Sequence, residues 1–439
     1  MLTLSLRLVV MPLDFPPPPV QEPPRAPAPR RDRRMAIGLL LTGVACTGMG
    51  QSIVFAVLPP LGRSIGLSDQ RVVTVFLVSA VFWVLLVPFW GRLSDRLGRK
   101  PFVLIGLSGF AVSMFLFAFS IHLGIVGTLS GLALYALIIG TRSIYGLIGS
   151  ATPGAAQGYI ADRTTARERT AGVAGFSAAF GLGAILGPGV GGAASAIGPL
   201  APLYASAALA AVMVVLIAVF LPERTAPIGR ARPRMTLNMR DKRLRPFLLF
   251  GLAFGIVNAV IIQTIGFYML DILKLATKDA AQFVGIGLMA SSMASLFSQL
   301  VLVQRFELPP HLLMRVGPAL ILAGHGLIAL SSEFGPIVFG LVLSGFGSGM
   351  AIPGFTAAAS LAVGPEEQGS AAGLTNSASA SGFVIAPLIG FSLYDFSERG
   401  PFLMTSALAA LLLIFALTTP AIRRAGRTQI AGDEPAPDI

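Results

Sequence analysis

The run Gly91-Arg-Leu-Ser-Asp-Arg-Leu-Gly-Arg-Lys100 sets one carboxylate, Asp95, among four cations and brackets the group with Gly91 and Gly98. Apolar stretches over roughly 71–90 and 101–120 flank it. Charges at that density cannot enter hydrocarbon. The spacing therefore predicts a tight loop at a membrane face, with the two glycines fixing a short turn. A lone acid among Arg92, Arg96, Arg99 and Lys100 suits an ionic latch that forms and breaks; it does not suit bond chemistry. A second charge, Arg142, lies inside an apolar stretch. A guanidinium there costs about 2.5–3.5 kcal/mol on insertion scales, and residues retained in such places face a bundle interior with a partner.

The elements that must position these groups are apolar helices. The chain has 439 residues, of which 54% are hydrophobic and 12% charged, and its mean hydropathy is +0.79. A soluble domain carries about 25% charged residues, so this is a polytopic membrane protein. Twelve apolar segments are each long enough to cross a hydrocarbon core of about 30 Å: 36–59, 71–90, 101–121, 131–160, 169–195, 200–221, 245–270, 281–303, 314–331, 335–359, 369–394 and 401–420. They fall into a bundle over 36–221 and a bundle over 245–420, joined by a polar, basic linker at 222–244. Residues 1–35, rich in Pro and Arg, read as a disordered tail without a cleaved signal peptide, and 421–439 as a second tail. With the N-terminus placed inside, 26 Lys and Arg fall on that side, five on the other, and one, Arg142, within a span. That bias puts both tails in the cytoplasm. The net charge of +12 comes with only two Trp and no basic–aromatic interleaving, which excludes a nucleic-acid platform. Cys46 stands alone, so no intrachain disulfide forms. The halves echo each other: Gly183-Ala-Ile-Leu-Gly-Pro-Gly-Val-Gly191 returns about 199 residues later as Gly382-Phe-Val-Ile-Ala-Pro-Leu-Ile-Gly390, and Pro153-Gly154 as Pro353-Gly354. Parallel repeats of this kind place a site at the midplane between them.

The Gly91–Lys100 run resembles the G-x-x-x-D-R-x-G-R-R/K loop of the major facilitator superfamily of membrane transporters. The resemblance implies a latch of Gly91, Asp95, Arg96, Gly98 and Arg99 with Asp162 and Arg169, in which Asp95 pairs with cations and a facing helix N-terminus. Leu137–Gly146 is similar to the fourth-helix R-x-x-Q-G motif of proton-driven exporters, with Tyr145 replacing the usual Gln. Gly183, Gly187, Pro188, Gly191 and Gly192 resemble the antiporter motif, in which glycines allow close helix approach and the proline bends the helix. The longer form of that motif has one more glycine, where this chain has Ala174 beside Gly175. Likeness to the tetracycline and multidrug branch implies an all-α, twelve-helix fold of two pseudo-symmetric bundles. It further implies proton-coupled export of small lipophilic compounds by a monomer in a bacterial inner membrane. The alternative is a sugar or organic-acid carrier of the same superfamily.

Polar or aromatic residues placed within spans are the candidate cavity lining: Gln51, Tyr145, Asn258, Gln263, Tyr268, Gln299 and Asn376. No carboxylate lies deep in a span, so the coupling candidates are Arg142, Asp271 and His325. His122, His311 and His325 are scattered, and no metal-ligand spacing occurs. Gly62-Arg-Ser-Ile-Gly66 spells a hydrolase elbow without a preceding strand. The reading is therefore of a transporter without catalytic residues, metal or cofactor, whose partners are a small molecule, protons and the bilayer.

Overall fold

The computed structural model describes residues 30–163, 166–222, 239–275, 277–303, 305–306, 308–364 and 367–425. The helices are α1 (Arg30–Ser64), α2 (Asp69–Leu97), α3 (Arg99–Ile125), α4 (Gly131–Ile144), α5 (Ala151–Arg163), α6 (Ala166–Ser195), α7 (Ala201–Phe220), α8 (Arg245–Ile272), α9 (Thr277–Phe297), α10 (Pro310–Leu330), α11 (Phe334–Leu361), α12 (Gln368–Phe396), α13 (Gly400–Thr418) and the short α14 (Pro420–Arg424). A π-helical turn, Tyr145–Gly149, joins α4 to α5 into one crossing, and a second, Ser298–Val303, extends α9. Twelve crossings result, and no strand occurs among the described residues. Because α1 begins at Arg30, the tail expected to run to residue 35 is helical over its last few positions. We call the face where α1 begins the basic face and the other the far face.

Glycine decides how these apolar rods pair. A Cβ on Gly183 would lie 1.8 Å from the Ala45 carbonyl oxygen, and one on Gly48 would lie 2.3 Å from that of Phe180, so α1 and α6 touch backbone to backbone. The second half repeats the contact between α8 and α12: a Cβ on Gly255 would meet the Ser379 carbonyl oxygen at 2.0 Å, and one on Gly382 the Gly255 carbonyl carbon at 2.2 Å. Phe180 and Ser379, like Gly183 and Gly382, are 199 positions apart. The sequence repeat is thus a repeat of helix pairing, and the halves form two pseudo-symmetric bundles. Val84, Leu85, Val112, Phe115, Val215 and Leu411 stay exposed on the outer surface, as lipid contact requires.

The charged run is not the loop expected of it. Helix α2 continues through Gly91 to Leu97, and α3 starts at Arg99. The turn is Gly98 alone, at φ +103°, where a side chain would be strained. Gly91 is helical, and its role is spatial: a Cβ on Gly154 of α5 would sit 3.1 Å from the Gly91 Cα. Charged residues need only water, which the last helical turn at a membrane face supplies, so the charges do not mark where the helix stops.

Candidate functional site

Arg142 is 1% exposed near the end of α4. Its Nη2 donates to Gln51 Oε1 on α1. Its guanidinium carbon stands 4.7 Å from the Tyr145 ring centroid and 5.9 Å from that of Phe117 on α3. Nε and Nη1 meet no acceptor among the described residues. Helix α4 is pinned there by Ser113 Oγ, which donates to the Thr141 carbonyl at 2.7 Å. A Cβ on Gly146 would sit 2.4 Å from the Ser79 carbonyl oxygen, so α2 presses directly on the start of the π turn. The wide turn follows Arg142 at once and precedes Pro153, which donates no backbone hydrogen bond. π-Bulges of this kind concentrate at functional sites. Trp83 packs on Tyr145 with centroids 4.8 Å apart, and Phe110 meets the same ring at 5.3 Å.

A clasp closes the seam between the bundles at the far face. Arg63, the last basic residue of α1, bonds to Asp69 at the start of α2 through Nε at 2.9 Å. It also bonds to Asp271 on α8, through Nη1 and through Nη2 at 2.8 Å. Tyr394 Oη on α12 donates to the same Asp271 carboxylate. Beside it, Gln70 on α2 donates to Asp395 on α12. Arg63 is one of the five Lys and Arg that the sequence count puts on the outer side, in a loop after the first span. The structure puts it in the helix, where its planar fork bridges two carboxylates from different halves. Toward the same face, a Cβ on Gly189 would lie 2.2 Å from the Met289 Sδ, so that side chain would have to move, and a Cβ on Gly285 would lie 2.7 Å from the Pro188 carbonyl oxygen. The antiporter-like glycines therefore serve two contacts: Gly183, Gly187 and Gly191 fit against α1, while Pro188 and Gly192 lie against α9.

At the basic face, Arg99 Nη1 donates to Ser94 Oγ at 2.9 Å, and a Cβ on Gly158 would collide with the Arg99 guanidinium at 2.2 Å. The charged run is thereby laid across α5. Arg96 and Arg99 lie on either side of the Gly98 turn. The side chains of Asp95, Asp162 and Arg169, the other expected members of the latch, lie outside the described residues, as do the bulk of the linker and the tails. In the second half, Arg243 donates to both oxygens of Glu367 at 3.0 Å and to Asp241 Oδ2 at 2.9 Å. These bonds hold both carboxyls below the usual carboxylate range and raise the guanidinium. A carboxyl depressed in the folded state adds stability above its unfolded value and loses that stability as pH falls through its folded value. The Tm gap between the wild type and Glu367→Gln should accordingly be constant from about pH 5 to 8 and close below about pH 4. Thermal unfolding in detergent across a pH series checks this.

The remaining candidates separate. His325 is buried, with Nδ1 2.8 Å from Thr405 Oγ1 and Nε2 2.9 Å from Ser344 Oγ, a knot joining α10, α11 and α13. Tyr268 Oη donates to the carbonyls of Ile328 and Ser331 at 2.8 and 3.0 Å, tying α8 to the end of α10. Gln299 Nε2 reaches Ser295 Oγ at 3.2 Å within its own helix and π turn. Asn376 is exposed on α12, and Asn258 is half-buried on α8. Gln263 is buried on α8, and its Oε1 has no donor among the described residues. Only Arg142, Gln51 and Tyr145 are brought into one cluster. The clasp of Arg63, Asp69 and Tyr394 around Asp271 was missed, although Asp271 was singled out. The one available signal was the placement of opposite charges at span ends on the same face. No three His, Cys, Asp or Glu gather among the described residues as a metal site would require.

A family model described as Major Facilitator Superfamily matches residues 40–387 and again 301–437. The chain is 26% identical over 373 residues to the tetracycline resistance protein, class B, of Escherichia coli, covering 82% of this chain and 88% of that one. It is 27% identical over 388 residues to multidrug resistance protein 1 of Bacillus subtilis (strain 168), covering 86% and 95%. Its fold matches a solved bacterial homolog to the human lysosomal transporter Spinster, in an inward-facing and unoccupied conformation, with a TM-score of 0.68 at 12% identity, over 94% of this chain and 100% of that one.

Proposed function

The chain belongs to the Major Facilitator Superfamily, and from that premise we propose that it exports small, partly lipophilic compounds across a bacterial plasma membrane in exchange for protons. The clasp at Arg63 carries the reading. Alternating access needs a seam that is held at one face and can be released there. Arg63, Asp69, Asp271 and Tyr394 join α1 and α2 of one bundle to α8 and α12 of the other through groups that a proton can change. The Lys/Arg bias supports a cytoplasmic basic face, which makes the clasped state inward-facing. Asp271 is the coupling candidate in this scheme: protonation removes its charge, releases Arg63 and lets the far face part, and exchange requires that this proton leave toward the basic face before the clasp re-forms. His325 is left to packing by its two hydrogen bonds within one bundle. The tetracycline and multidrug resistance proteins among the relatives support drug-like cargo. The run from Gly91 to Lys100 would brace the opposite, outward-open state.

The test is proton flux in energised inside-out vesicles, read with a pH-sensitive dye against a panel of drugs and metabolites. Substrate-triggered collapse of the gradient is expected in the wild type, slowed in Asp95→Asn and lost in Arg142→Ala. No collapse with any compound, from inserted and folded protein, overturns proton antiport.

A further inference from the structure

We propose that Arg142 is the recognition point for a negatively charged group on the transported molecule, so that the preferred cargo is an organic monoanion, a carboxylate on an apolar body. This rests on the transport reading and narrows it to a substrate class. A guanidinium carries five N–H donors and is costly to bury without a counter-ion. At Arg142, one nitrogen is held by the neutral Gln51, and two more, Nε and Nη1, meet nothing among the described residues. Among the described residues, the contacts of the cation are that amide and the faces of Tyr145 and Phe117, and no carboxylate is among them. A structural arginine in a span is expected to have its fork filled. Here the unfilled donors match the paired oxygens of a carboxylate, which a guanidinium binds bidentately.

The surroundings set the rest of the ligand. The rings of Tyr145 and Phe117 face the cation, and Trp83 and Phe110 pack on Tyr145 behind it, which suits one negative charge on a flat or apolar body. Gln51 on α1 is half-buried and holds one nitrogen of the guanidinium. Its side chain is the shutter that must swing aside for the anion.

Calorimetry on the full chain in lipid nanodiscs tests this with three probes that share one body: phenylpropionate, phenylpropionamide and phenylpropylammonium. Charge-assisted hydrogen bonds in a low-dielectric site predict that the carboxylate binds at least about tenfold tighter than the amide. Arg142→Gln should bring that ratio to about one. Because that variant leaves a hole in the polar centre, Gln51→Glu provides the second arm. It places a carboxylate of the same shape against the guanidinium, and should raise the Tm while abolishing the carboxylate preference. Amide or ammonium binding as tight as carboxylate in the wild type, or a preference that survives in Gln51→Glu, overturns the assignment. The transport reading fails separately. A carboxylate preference without any substrate-driven proton flux removes antiport and keeps the site. Flux driven equally by neutral compounds, with no preference in calorimetry, keeps antiport and removes the site.

Discussion

A Gly183→Leu variant is expected to yield almost no folded protein, while Gly181→Ala, two residues away on the same helix, folds at least as well as the wild type. A Cβ at 183 would lie 1.8 Å from the Ala45 carbonyl oxygen and 2.9 Å from the Met49 nitrogen, both backbone atoms of α1. Backbone cannot rotate aside as a side chain can, so the two helices must separate. Overpacking ordinarily costs about 1–3 kcal/mol. Here the same separation also opens the contacts at Gly48 and Gly187, where an added Cβ would lie 2.3 Å from the Phe180 carbonyl oxygen and 2.4 Å from that of Met49. The combined loss is comparable with the whole stability of a domain, about 5–15 kcal/mol. At Gly181 a Cβ meets nothing within 4 Å, and alanine is favoured over glycine in a helix by about 1 kcal/mol. Size-exclusion profiles and thermal melts of the pair decide it. A monodisperse Gly183→Leu protein would show that the α1–α6 seam is loose.

Asp271→Asn is expected to open the far face and uncouple transport from protons while leaving exchange of substrate intact. The asparagine keeps the shape of the protonated acid. It can still accept from Arg63, but it no longer attracts it across the seam. Arg63 is then left with Asp69 on its own half. The groups are part-exposed, with side chains 28% and 24% accessible for Arg63 and Asp271, so the clasp is worth less than a buried pair. Allowing for exposure, we expect about 1–2 kcal/mol, because a fork to two carboxylates exceeds the 0–1 kcal/mol of an isolated surface pair. That is roughly a tenfold shift of the open population. Spin labels at Ser68→Cys and Ser397→Cys, both exposed at the far face, report it, because Cys46 is the only native thiol and is buried. The distance between labels should lengthen in Asp271→Asn. Proton-driven flux should fall away, and equilibrium counterflow should persist. Unchanged distances would remove Asp271 from the clasp.

The two predictions depend on different amounts of tertiary information. The glycines at 183, 187, 191 and 192 and the proline at 188 were legible as close-packing residues, because small side chains at short spacing in an apolar helix have few other uses. Which neighbour each one faces was not legible. Gly187 serves α1 and Gly192 serves α9, and the motif does not distinguish them. The clasp was less visible still, because Arg63 and Asp271 are 208 positions apart and each, taken alone, is an ordinary charge at a span end. His325 shows the reverse case. As a lone titratable group in a span it was a reasonable coupling candidate, but two hydroxyls from neighbouring helices occupy both its nitrogens.

By itself the sequence determined the twelve crossings and their grouping into repeated halves, because hydrocarbon excludes charge and unpaired backbone so strictly that length and polarity are enough. It also determined that Arg142 would be buried, because a cation inside a span must face the interior. Only the tertiary structure decided the rest: that Gln51 and two aromatic rings, with no carboxylate among the described residues, stand against that cation; that Gly98 alone makes the turn in the charged run; and that Arg63 holds two halves together. Those outcomes depend on how rods of nearly uniform apolarity rotate and approach one another. Close backbone contact at a few glycines sets that geometry, and it leaves no periodic trace in a sequence apolar on nearly every face.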